Sequence, residues 1–78
     1  MTSRTHKRTL LGREIDFPNE GQWTHIKTGG RYVVLFPVMV ENGLTPAVAY
    51  SKVGGDGLIW VRPITEFLDG RFVHEKDN

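Results

Sequence analysis

Cysteine is absent from the chain, and with it go disulfide staples, thiol nucleophiles and thiolate metal sites. Long hydrophobic runs are missing too. The longest, Tyr32 to Val40, falls far short of the roughly 20 residues that span a bilayer, and the polar N-terminus has no apolar region of the kind a signal peptide carries. These features predict a soluble, cytoplasmic protein with no membrane partner. Nor does charge of one sign prevail: ten Lys and Arg face nine Asp and Glu, a formal net charge of +1. That balance argues against a protein that holds nucleic acid mainly by neutralising phosphates. At 78 residues the chain makes one small domain, and a chain of that size buries only a little over half of the surface it exposes when unfolded.

Catalytic signatures are equally scarce. Ser3 and Ser51 have no motif around them, and a nucleophile needs a base within hydrogen-bond reach and a group to hold that base. His6, His25 and His74 are too dispersed for any zinc-ligand spacing, so no metal site and no cofactor is expected. Glu66 and Asp69 are three apart and could share one side of a helical turn. Turn chemistry alone accounts for both, which leaves them weak as an acid and base pair. Gly29-Gly30 and Gly54-Gly55-Asp56-Gly57 are not followed by a helix or by the Lys-Ser/Thr of a phosphate loop; they read as hairpin turns. The sequence thus points away from an enzyme.

What is present is a β pattern. Residues 1–22 show no sustained period and carry Arg4, Lys7, Arg8 and Arg13 with no acid before Glu14. They read as a basic, flexible N-terminal arm, with Leu10, Leu11, Ile15 and Phe17 able to dock as a short extended segment, ahead of a small β domain over 23–78. From Trp23 onward, strands are expected at Trp23 to Lys27, Arg31 to Glu41, Pro46 to Val53, Leu58 to Arg62 and Arg71 to His74. Glycine-rich turns separate the first four, and Pro63 ends the fourth. Ile64 to Leu68 suits a single helical turn before the last strand. The expected fold is mainly β: a small five-stranded SH3-like barrel, or a strongly bent antiparallel sheet that dimerises to cover an open face.

Strict alternation along the long strand places Tyr32, Val34, Phe36, Val38 and Val40 on one face and Val33, Leu35, Pro37 and Met39 on the other. Both faces are apolar, so the strand is expected to be covered twice or to bend, with Pro37 at the bend. On the fourth strand, Trp60 and Arg62 share a face with Leu58, and the opposite face of Ile59 and Val61 reads as the core side.

The pattern Trp23-x-His25-x-Lys27-Thr28-Gly29, with Trp60-Val61-Arg62-Pro63-x-x-x-Phe67-x-Asp69-Gly70-Arg71-Phe72, resembles a family of small bacterial and phage proteins, domain of unknown function 1653. The likeness covers Trp23 to Phe72. Ile26 and the glycine-rich turn at 54–57 depart from it, and residues 1–22 have no counterpart. The resemblance implies a compact β domain of a phage or bacterial cytoplasm and no established reaction.

The remaining signal is a set of aromatic and cationic residues: Trp23, Tyr32, Tyr50 and Trp60 beside His25, Lys27, Arg62 and Arg71. Aromatic faces stack on bases, and an arginine fork grips phosphate. The residues expected to bind ligand are Trp23, His25, Lys27, Tyr50, Trp60, Arg62 and Arg71. The structural reading stands beside this: Trp60 and Tyr32 as core, and Arg62 as a clasp to Glu66, Asp69 or Trp23. The leading functional expectation is a non-catalytic module for a small anionic aromatic ligand, a nucleotide or cyclic oligonucleotide. In a phage it would be a decoy for a nucleotide immune signal. An SH3-like adaptor that reaches nucleic acid or protein through the basic arm is the alternative, and a homo-oligomer, by default a dimer, is expected in either case.

Overall fold

The computed structural model describes residues 3–75. Two antiparallel sheets carry almost all of the order. A hairpin of β1 (Thr5–Leu10) and β2 (Arg13–Pro18) stands apart from a five-stranded sheet of β3 (Gly21–His25), β4 (Arg31–Val40), β5 (Thr45–Lys52), β6 (Ile59–Pro63) and β7 (Phe72–His74). The strand order in the larger sheet is β6-β5-β4-β3-β7. A short helix, α1 (Ile64–Phe67), connects β6 to β7. The mainly β fold, the five strands and the helical turn before the last agree with the sequence. No pairing joins the outer strands β6 and β7 among the described residues, so the sheet is open.

A bulge decides which side chains face inward. Val34 pairs with Tyr50 but Phe36 pairs with Ala49, which leaves Leu35 unmatched. One extra residue reverses the alternation beyond it. The expectation of a single face for Tyr32, Val34, Phe36, Val38 and Val40 is therefore corrected: Tyr32 and Val34 lie on the core side, while Phe36, Val38 and Val40 lie on the other. Pro37 sits two residues past the bulge. Strand β3 pairs with β4 only as far as Val34, so Pro37 lies where β4 has a single partner and no second ladder calls for its missing N–H.

The core gathers on the inner face. Phe17, Trp23, Val34, Val48, Tyr50, Ile64, Phe67 and Phe72 form one buried cluster. Trp23 meets Phe67 edge-on at 5.1 Å, and Phe67 stacks on Phe72 at 4.4 Å. Along β5 and β6 the cross-strand pairs Val48 with Arg62 and Tyr50 with Trp60 put Trp60 and Arg62 on this same side. The reading of Ile59 and Val61 as the core side is corrected accordingly, since both stand about half exposed on the outer face.

The segment expected as a loose arm also differs. Over Thr5–Pro18 it is a hairpin closed by the two-residue turn Leu11-Gly12, and Phe17 belongs to the same buried cluster as Trp23. Three bonds tie it down. Arg4 donates to the Leu68 carbonyl at 2.7 Å, the Asn19 N–H to the Arg4 carbonyl at 2.9 Å, and the Trp23 indole N–H to the Asn19 carbonyl at 2.9 Å. Both turn residues take positive φ, Leu11 at 50° and Gly12 at 74°. That is the geometry of a tight hairpin turn matched to strand twist, and it is held here without the Asn or Asp that signals it.

Candidate functional site

Two depressions meet at His25. The smaller, about 200 Å³, is walled by Tyr32, Tyr50, Trp60 and Phe72, with Thr28, His25 and Arg62 at its polar side. The larger, about 550 Å³, is a groove between Ile26 and Lys27 on one side and Asp69, Gly70 and Arg71 on the other. The β3–β4 turn shapes both. His25 accepts from the Gly29 N–H at 2.8 Å and donates its own N–H to the Gly30 carbonyl at 2.7 Å. Gly29 takes φ of 75° there, a conformation that glycine adopts without strain. Thr28 is thereby brought back over the strand, its hydroxyl 3.2 Å from Nδ1 of His25.

Arg62 is the centre of the smaller pocket. Its Nε donates to the Tyr50 hydroxyl at 3.2 Å, and its guanidinium lies over the Phe72 ring, 5.6 Å from the centroid. The Tyr50 hydrogen bond raises its pKa above an already high ordinary value, against the opposing effect of burial. It is a cation at every pH at which the protein folds. Glu66 and Asp69 stand beyond ion-pair distance of it, though their charge also favours the cation, and Trp23 is not its partner. Among the described residues no carboxylate stands within ion-pair distance of Arg62, so a strong hydrogen-bonding cation faces an aromatic pocket with most of its donors uncommitted.

The other sequence-predicted residues divide. Trp60 is half exposed and lines the pocket from the sheet edge. Tyr50 is buried, with its ring edge-on to Tyr32 at 5.6 Å and its hydroxyl on Arg62. His25 packs edge-on to Phe72 at 4.9 Å and borders both depressions. Lys27 and Arg71 line the groove, Arg71 in an exposed ion pair with Asp69 at 3.0 Å. Trp23 leaves the set: with no exposed surface and its indole N–H bonded to Asn19, it is a core residue that no ligand can touch.

Comparison with protein-family models, with curated proteins and with solved structures gives no match. The site must be read from its own geometry.

Asp69 accepts from the Arg71 backbone N–H at 3.2 Å and pairs with the Arg71 side chain, so it closes the turn. Among the described residues no three of His, Cys, Asp and Glu are placed to hold a metal ion, and no helix is long and apolar enough to cross a membrane. Two pocket residues escaped the sequence reading. Thr28 was read only as part of a turn, and Phe72 only as part of the last strand, although its ring carries the Arg62 guanidinium. The spacing His25-x-x-Thr28 around a glycine turn was the available signal for Thr28.

Proposed function

We propose that the protein is a non-catalytic binding module for a small anionic aromatic ligand of nucleotide type. The single observation that carries this reading is Arg62, a fixed cation on an aromatic floor with no carboxylate partner, next to a half-exposed tryptophan. A pocket of about 200 Å³ is smaller than the usual small-molecule site of roughly 300–1,000 Å³. The ligand therefore places one ring between Trp60 and Tyr32 and extends across His25 into the groove, where Lys27 and Arg71 meet its phosphates. Stacking on Trp60 contributes about 1–3 kcal/mol, and the Arg62 fork supplies charge-assisted bonds to phosphate.

Binding without turnover suits sequestration. By the resemblance to small phage proteins, the role we attach to it is that of a decoy for a nucleotide immune signal. Isothermal calorimetry against mononucleotides, dinucleotides and cyclic oligonucleotides tests the reading. One ligand class should bind, and Arg62→Ala should abolish the heat with the fold intact; silence across the panel would refute it.

The alternative, an adaptor gripping nucleic acid or protein through the N-terminal cations, is less well supported. Lys7 is paired with Asp16 at 2.6 Å, Arg8 lies over Phe17, and Arg4 and Arg13 donate to backbone carbonyls. Each of these cations has a contact within the chain, those of Arg4 and Arg13 being to Leu68 and Leu44 beyond the hairpin.

A further inference from the structure

Among the described residues one imidazole is buried: His74, on β7, keeps 4% of its surface. Its Nε2 lies 2.9 Å from the Glu20 carbonyl oxygen, and a carbonyl only accepts, so Nε2 carries the proton and Nδ1 the lone pair. That lone pair is sealed from water and has no hydrogen-bond partner. Buried polar atoms without a partner are rare enough that each calls for a reason. The elements around the ring bring it little charge. β3 supplies Trp23, edge-on at 4.9 Å, with His25 further along beside Phe72; the link before β3 supplies Glu20, and Arg71 and Glu75 flank β7 itself. The helix α1, which meets Trp23 through Phe67, carries Glu66. Glu20, Glu66 and Glu75 are exposed, Arg71 is paired with Asp69, and no carboxylate among the described residues stands within ion-pair distance of the imidazole.

We propose that His74 is an acid-sensitive latch: a proton taken up at Nδ1 releases β7 from β3. Because Nε2 is already protonated and committed to Glu20, Nδ1 is the only place for a second proton. The product is a buried cation whose new N–H has no acceptor, a group far costlier inside the protein than in water. The ring must therefore reach water to be protonated. β7 is the element least expensive to move, since it has three residues and a single neighbour in the sheet, and short, singly paired elements open first. The latch holds above the ordinary histidine value of about 6.5 and is lost as pH falls through it. Phe72 leaves with the strand. Its ring walls the smaller pocket and carries the Arg62 guanidinium, so opening β7 dismantles that wall. Release of a bound nucleotide in acid rests on the proposed function; the latch itself does not.

Amide hydrogen exchange of the full chain, corrected for the intrinsic effect of pH on exchange, tests the latch without any ligand. An open strand that takes up a proton at the ordinary histidine value, against a docked strand that takes up none, gains about tenfold in population between about pH 7.5 and pH 5.5. Protection should fall by that factor across the β3–β7 ladder and at the Ile26 N–H, which donates to the Arg71 carbonyl. The β4–β5 ladder should keep its protection. His74→Gln retains a donor for the Glu20 carbonyl and cannot titrate, so the tenfold change should vanish; His25→Gln, at the histidine beside Phe72, should leave it intact. Protection that is the same at the two pH values would overturn the proposal, as would a loss shared equally by the β4–β5 ladder or a change that persists in a folded His74→Gln. An NMR titration of the wild-type ring decides the matter should that variant not fold: proton uptake with β7 still docked would overturn the latch, and uptake together with loss of the β3–β7 contacts would support it.

Discussion

At the scale of single residues, Arg62 is a clasp in the structure and a ligand contact in the proposed function, and substitutions separate the two. As a clasp it joins β6 to the Tyr50 hydroxyl and the Phe72 ring. As a site it leaves donors free toward the pocket. Arg62→Ala should cost roughly 1–2 kcal/mol of stability in chemical denaturation, one hydrogen bond to a charged group and a cation–π contact together. Tyr50→Phe should cost about 1 kcal/mol, as the buried hydroxyl and its bond to Arg62 are lost, while nucleotide affinity falls far less than in Arg62→Ala. Were Tyr50→Phe to abolish binding as completely as Arg62→Ala, the hydroxyl would be the contact and the arginine its support. Trp23 belongs to another class. Its indole is sealed between Phe67 and His74, and Trp23→Ala should cost about 3–5 kcal/mol, enough to unfold much of a domain this small. The sequence made Trp23 and Trp60 look alike. Which of two tryptophans is buried depends on strand order, and β3 lies between β4 and β7 while β6 lies at the edge.

At the scale of elements, two departures from pattern shape the fold, and neither shows as a composition signal. The bulge at Leu35 turns Phe36, Val38 and Val40 outward. Alternation read from a single sequence assumes an unbroken register, so a one-residue insertion inverts every assignment past it. The hairpin β1–β2 was unreadable for a different reason. Its strands Thr-His-Lys-Arg-Thr-Leu and Arg-Glu-Ile-Asp-Phe-Pro are mostly polar or charged, and its turn has Leu11 in a left-handed conformation that an L-residue other than Asn occupies at a cost of roughly 1 kcal/mol. Leu11→Asn would give the turn an Asn-Gly pair, remove an exposed leucine, and raise stability by about 0.5–1 kcal/mol. For a domain of this length that is a rise of several degrees in Tm, about 4–8 °C per kcal/mol, measurable by differential scanning calorimetry. An unchanged or lower Tm would mean that Leu11 is held by a contact that outweighs its strain. By contrast, β4 to β7 were legible to within one residue and β3 to within two, because Val-rich and aromatic runs alternate with Gly29-Gly30, Asn42-Gly43 and Gly54-Gly55 turns, and Pro63 marks the end of β6.

At the scale of the whole molecule, an open five-stranded sheet has two unlike faces. The inner face carries the core and, at its β6 edge, an aromatic pocket beside Arg62; the outer face carries exposed Phe36, Val40, Ile59 and Val61. Parity made Trp60 and Arg62 legible as neighbours on one face of a strand, but that face is the core side, the reverse of the sequence expectation, because the pairing with Tyr50 and Val48 decides it. Thr28 and Phe72 were not legible, since their place depends on how the β3–β4 turn and β7 fold back over β5. Salt dependence distinguishes the two binding readings. A pocketed nucleotide with few phosphate contacts should lose affinity modestly between low and physiological salt, whereas binding to a nucleic-acid backbone through many cations falls steeply, with log K dropping by nearly one per contact for each tenfold rise in salt. The central claim, that the Arg62 and Trp60 pocket captures a nucleotide, is tested most directly by calorimetric titration of wild type and Arg62→Ala with the same nucleotide panel. Saturable binding by the wild type that vanishes in a folded Arg62→Ala is the result predicted; equal affinity in the two proteins would contradict it.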